Sequence, residues 1–175
     1  MDEELDLLFQ NEEINANGKN IFNVDNIKSL EEAIKHINEL QIQYQFIETN
    51  IKYLINLEPG EYNKFFQLPQ NTFLQGVDKN LVIFNIDNKI EYIRLVSTCN
   101  ISNITINYIN NNLEDFSNIN LFYFDKQDEN FFKITFNNVR FNLLNIYVNH
   151  IFDLNYGFVE FENCIFNIKN SNKVN

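Results

Sequence analysis

Few residues in this chain have the types and spacing that chemistry needs. His150 and Asp153 stand close together, and a His–carboxylate pair can orient a general base. No nucleophile or second acid lies nearby in sequence, so the pair has nothing to exchange a proton with. The run Asp125-Lys126-Gln127-Asp128-Glu129-Asn130 is rich in oxygen ligands, which calcium favours. It lacks the EF-hand spacing and has no Gly at its turn, so it reads as a solvated acidic loop, as does Glu114-Asp115. Cys99 and Cys164 fall at inward positions of strands and read as small core residues rather than nucleophiles. Arg94 and Arg140 fall at outward strand positions, where charges usually pair on a sheet surface. His36 falls on the polar side of a helix and reads as solvated. No catalytic residue, metal site or cofactor is assigned.

Composition narrows the partners. The chain has 175 residues, enough for one domain with a real core, and a net charge of −11. Such an acidic surface repels phosphate backbones, so nucleic acid is excluded as an expected partner. Met1-Asp2-Glu3-Glu4 carries no basic n-region, and no apolar run reaches the ~20 residues of a membrane helix, so no signal peptide or membrane contact is expected. Two cysteines make no disulfide framework and suit a reducing compartment. A cytoplasmic or virion-associated place follows. Asn makes up about a fifth of the chain, and Ala and Arg are scarce. That bias fits an AT-rich genome, such as that of a giant virus or an AT-rich bacterium.

The elements that position these residues are short. Residues 1–20 are acidic and irregular and read as a flexible N-terminal arm; residues 21–175 read as a single domain. A helix is expected over 29–41, with Ser29 as N-cap, Glu32 completing a capping box, and Glu31 four residues before Lys35. Leu30, Ala33, Ile34, Ile37 and Leu40 form its apolar stripe. From about residue 52 the pattern becomes short apolar alternations.

A nine-residue unit recurs there, Φ-x-Φ-x-Asn-Φ-x-Φ-Asn, with Φ apolar. It is complete at Cys99–Asn107, Ile134–Asn142 and Val159–Asn167, and degenerate at Phe66–Gln75. The fifth-position residues are Asn71, Asn103, Asn138 and Asn163, spaced by 32, 35 and 25 residues. Repeats of this length mean stacked supersecondary units. Each Φ-x-Φ buries two side chains of a strand, and Asn tolerates the left-handed backbone that a sharp bend needs. Stacked coils about 4.8 Å apart let equivalent amides bond as a ladder. A further strand precedes each unit, at Ile55–Leu57, Val82–Phe84, Phe122–Phe124 and Ile146–Val148.

Three segments carry a resemblance. The segment from Ile27 to Lys35 is similar to the helix that caps the first coil of the pectin-lyase-like right-handed parallel β-helix superfamily. Tyr53 to Tyr62, with its Pro-Gly-x-Tyr ending, resembles that family's first coil. Leu68 to Gly76 resembles its next landmark strand. The resemblance covers roughly residues 21–168. It implies an all-β, right-handed parallel β-helix of about four coils, three strands each, with an N-terminal capping α-helix. In active members the sites lie on the outer face of the first strand of central coils. The motifs of pectate lyases, pectin methylesterases and polygalacturonases do not occur here. The matching outward positions are Asn56, Ile83, Tyr123 and Tyr147.

Ile83, Tyr123 and Tyr147 are therefore expected to form an apolar column suited to binding a partner. The expected function is a non-catalytic structural or interaction module. The alternative is a carbohydrate-binding protein or a diverged polysaccharide lyase or esterase. Beyond Phe166 the chain is too polar to cap the last coil, so self-association is expected through that coil or through the first-strand face, with polysaccharide as the other partner.

Overall fold

A computed structural model of the chain describes residues 13–14, 19–44, 51–87, 93–95, 98–109, 120–124, 133–144, 150–153 and 157–169. The elements are β1 (Glu13–Ile14), β2 (Lys19–Val24), α1 (Ile27–Tyr44), β3 (Lys52–Leu57), β4 (Gly60–Tyr62), β5 (Thr72–Gly76), β6 (Val82–Asp87), β7 (Ile93–Leu95) and β8 (Cys99–Ser102). They continue with β9 (Thr105–Ile109), β10 (Asn120–Phe124), β11 (Lys133–Asn137), β12 (Arg140–Leu144), β13 (His150–Asp153), β14 (Phe158–Glu162) and β15 (Ile165–Lys169).

The strands form a seven-stranded sheet in the order β1-β2-β3-β5-β8-β11-β14, a five-stranded sheet β4-β6-β9-β12-β15 and a three-stranded sheet β7-β10-β13. Every pairing is parallel except β1 with β2. From β5 onward the chain visits the seven-, five- and three-stranded sheets in turn. Three such circuits precede β14 and β15, an order compatible with a parallel β-helix.

Period-two alternation fixes what is buried. In the seven-stranded sheet, Tyr53 pairs with Thr72, Thr72 with Cys99, Cys99 with Ile134 and Ile134 with Val159. In the five-stranded sheet the aligned inward row is Tyr62, Phe84, Ile106, Phe141 and Phe166. Rings stack along these rows: Tyr62 on Phe84 at 5.1 Å, Phe136 on Phe161 at 5.5 Å and Phe141 on Phe166 at 4.7 Å. Within a coil, Phe136 meets Phe141 edge-on at 5.3 Å, and Phe161 meets Phe166 the same way at 5.3 Å. Thr72 Oγ1 is a buried polar atom in this core without a hydrogen-bond partner.

The corners between the seven- and five-stranded sheets fall at Asn103, Asn138 and Asn163, with φ of 55°, 55° and 53°. A β-branched residue would be strained there, whereas Asn accepts it. Asn138 Nδ2 donates to Asn103 Oδ1 at 2.8 Å. Asn71 also has a positive φ, 57°, but the register places it elsewhere. Because Thr72 pairs with Cys99, Asn71 lies at the start of β5, level with Thr98, whose carbonyl accepts from Asn71 N. The degenerate copy is thus displaced, and the true equivalent of Asn103 follows Gln75, which pairs with Ser102. That residue is Gly76. A Cβ there would come within 2.3 Å of Asn103 O, so the corner is closed to any larger side chain.

The helix is longer than expected and is capped earlier. Asn26 is the N-cap: its Oδ1 accepts from Lys28 N at 2.9 Å and Ser29 N at 3.0 Å. Ser29 sits at the third helical position and its Oγ accepts from Asn26 N at 3.1 Å, closing a capping box with Ser in the usual Glu role. Glu31 pairs with Lys64 rather than Lys35, and Lys35 pairs with Glu39. Leu30, Ala33, Ile34, Ile37 and Leu40 are buried as expected and join the core of the strands. In the expected N-terminal arm, Glu13 and Ile14 pair with Ile21 and Asn20.

Two replacements at one corner separate backbone strain from the lost hydrogen bond. Asn138→Gly keeps the backbone permissive and loses the rung, so urea unfolding is expected to show a loss of about 1 kcal/mol. Asn138→Val suffers both and is expected to lose a further 1–3 kcal/mol, roughly. Equal losses would show that the left-handed backbone is not what Asn supplies.

Candidate functional site

The residues singled out as a binding column do not share one ladder. Ile83 is half-buried in β6, paired with Glu61 and Thr105 in the five-stranded sheet. Tyr123 is in β10 of the three-stranded sheet, paired with Arg94 and Asp153. Tyr147 and the loop 125–130 lie outside the described residues, as does Glu114-Asp115. Asn56, expected at the same position, is in the seven-stranded sheet. The three described members of the four strands expected to be equivalent therefore divide among the sheets. Alternation says which side chains point inward, but not which sheet a strand joins, and the intervals of 32, 35 and 25 residues let the alignment slip.

The remaining candidates have mainly structural surroundings. His36 is half-buried, its ring edge-on to Phe22 at 5.8 Å, so it is more than a solvated group. Arg140 Nη1 donates to Asn80 Oδ1 at 3.0 Å, an amide and not the expected carboxylate. His150 and Asp153 occupy opposite ends of β13. Among the described residues no group of three His, Cys, Asp or Glu side chains is placed to hold a metal ion. A groove of about 240 Å³ crosses the outer face of the seven-stranded sheet, bordered by Lys52, Phe73, Asn100, Lys133 and Thr135. Its two ammonium groups are engaged: Lys52 lies 5.9 Å from the Phe73 ring centre, and Lys133 pairs with Glu160.

Two features went unread in the sequence. One is an amide ladder at the ninth position of the unit. Asn107 Nδ2 donates to Asn85 Oδ1 at 2.9 Å, Asn142 to Asn107 at 2.8 Å and Asn167 to Asn142 at 2.8 Å. Asn85 in turn donates to Glu61 Oε2 at 3.1 Å. The repeated final Asn was the available signal. The other is the bend from Gly76 to Leu81, which straps the corners. Lys79 Nζ donates to Asn138 Oδ1 at 2.6 Å, Lys79 O accepts from Thr105 Oγ1 at 2.6 Å, and Asn80 holds Arg140. Lys79 thereby bonds the amide oxygen to which a second corner rung, from Asn163, would donate.

Apolar side chains are exposed on β14 and β15, the last described strands. Phe158, Phe161, Ile165, Phe166 and Ile168 are 63, 39, 40, 41 and 53% exposed, while Phe136 and Phe141 one coil earlier are fully buried. β14 and β15 are the terminal strands of their sheets. Among the described residues no further strand lies beyond either of them. Comparison with protein-family models, curated proteins and solved structures finds no match.

The cysteines are free and set apart. Cys99 is buried in β8 and its pKa is pushed from 9.0 to about 12 by burial; Cys164 is half-buried and is also raised, chiefly by burial. Tyr62, donating its hydroxyl to the Val24 and Glu58 carbonyls, is raised from 10.0 to about 12 by burial, with Asp25 and Glu58 adding to it. A raised acid keeps its proton in the folded state after the unfolded chain has lost it. The stability these groups contribute is therefore complete below pH 9 and falls as pH rises towards about 12. The urea midpoint is expected to drop across that window, and Cys99→Ala to flatten the lower part of the slope. A midpoint constant through pH 11, roughly, contradicts the burial of both groups.

Proposed function

We propose that this chain is a right-handed parallel β-helix of the pectin-lyase-like type, serving as a non-catalytic interaction module whose C-terminal coil receives a strand of another polypeptide. The observation that carries the reading is the change in exposure over one coil. The aromatic pair Phe136 and Phe141 is fully buried, whereas its equivalent Phe161 and Phe166 is 39 and 41% exposed, on strands that end their sheets among the described residues. Strand addition satisfies both deficits together, because main-chain bonds supply affinity and alternate side chains enter the core.

Hydrogen exchange of the dilute protein tests this. The amides of Val159, Phe166 and Ile168 are expected to exchange rapidly, while those of β8 and β9 are protected. Strong protection of the three amides in the dilute monomer would mean that the chain covers its own edge, and the reading fails.

A carbohydrate ligand is the second reading. The groove beside Phe73 offers an aromatic face with amide and hydroxyl groups, and an acidic sugar would compete with the Phe73 ring for Lys52 and with Glu160 for Lys133. Binding of a uronate oligosaccharide that disappears in Phe73→Ser supports it; unchanged binding in that variant removes the groove from consideration.

A further inference from the structure

The groove on the seven-stranded sheet ends beside a carboxylate of the chain itself, and we infer that Glu160 is a built-in competitor there, holding Lys133 until the acid group of a bound sugar displaces it. The inference rests on the reading of the groove as a site for an acidic sugar.

The register places this carboxylate. One outward row of the sheet runs Ile21, Leu54, Phe73, Asn100 and Thr135 and then meets Glu160. The neighbouring row runs Asn23, Asn56, Gln75, Ser102 and Asn137 and then meets Glu162. Neither row holds a carboxylate before β14, although the chain carries a net charge of −11. In these rows an acidic ligand therefore meets no like charge until the last described strand of the sheet.

The two carboxylates of β14 are used differently. Glu162 serves the sheet: its Oε2 accepts from Asn137 Nδ2 at 2.6 Å. Glu160, level with Thr135, reaches diagonally to Lys133, and its Oε2 lies 2.5 Å from Lys133 Nζ. Lys133 and Thr135 both border the groove. Glu160 thus makes, from the groove's β11 side, the ion pair that the acid group of a ligand would make.

The pair is built to exchange. Both side chains are half-exposed, so solvent screens the attraction and the fold gains little from it. Lys133 carries its ammonium on a flexible stem and can turn from one carboxylate to another without moving the backbone. An acidic sugar meets two penalties on arrival. It opens the Lys133–Glu160 pair, and it brings its own acid group near the carboxylate just released. A neutral sugar that uses the Phe73 ring and the amides meets neither, because the pair stays closed. Glu160 therefore lowers affinity for acidic ligands selectively and sets the threshold at which they enter.

Isothermal titration of the full chain with a galacturonate tetrasaccharide, and with its neutral galactose counterpart, at one salt concentration tests the inference. Glu160→Gln is expected to bind the acidic sugar about two- to fivefold more tightly, with neutral-sugar affinity and melting temperature unchanged. Glu162→Gln alters the net charge equally and is expected to leave all three unchanged. Without any sugar, acylation of Lys133 by an amine-reactive ester, followed by mass spectrometry, is expected to run faster in Glu160→Gln, with the exposed Lys35 as internal reference. An equal gain in Glu162→Gln would reveal a long-range charge effect, and a large fall in melting temperature in Glu160→Gln would make the pair a structural one; either overturns the inference. Unchanged acidic-sugar affinity and unchanged Lys133 acylation in Glu160→Gln overturn it as well, but leave the groove reading standing if Phe73→Ser still abolishes binding. An acidic sugar that binds neither the unaltered chain nor Glu160→Gln overturns both.

Discussion

The fold depends on one repeated distance. Parallel coils lie about 4.8 Å apart, the spacing of hydrogen-bonded strands, so every residue sits over its equivalent in the next coil. Whatever a position holds must tolerate its own kind as a neighbour. Flat rings do so by stacking, as Phe141 does on Phe166. Primary amides do so because each carries both a donor and an acceptor, as Asn107, Asn142 and Asn167 show. Carboxylates do not, and Glu61 stands where a row ends. The abundance of Asn and Phe thus has a structural use, whatever genomic bias supplied it.

Much of the architecture was legible because this constraint writes itself into the sequence. The three complete units gave the corners at Asn103, Asn138 and Asn163 and the inward rows on each side of them. The helix stripe was equally plain. What failed was alignment between coils. Asn71 matched the motif and even shares the left-handed backbone, yet it opens β5, and a glycine holds the corner it seemed to mark. Ile83 and Tyr123 matched as centres of apolar triplets, but they belong to different sheets. Connections of unequal length separate the strands, and no local pattern records which sheet the chain has reached. The N-cap slipped for a simpler reason: Asn26 and Ser29 both suit the position, and only the hydrogen bonds distinguish them.

The terminal coil was visible as a problem from the polarity of the residues after Phe166. Its edge groups were not, because their direction depends on which neighbour each strand already has. Glu162 O and Ile165 N bond to the preceding pair of strands, and Val159, Phe166 and Ile168, which alternate with them, face the other way.

The bend from Gly76 to Leu81 divides the molecule in another respect. Through Lys79 and Asn80 it is fastened to Thr105, Asn138 and Arg140, in the two coils that follow its own. Among the described residues no such strap reaches Asn163 or the strands beside it. Peeling from the C-terminal end therefore frees β14 and β15 without touching the clasp, but removing one more coil has to break it. The strapped strands and the last described pair, β14 and β15, are therefore distinct zones of resistance to unravelling.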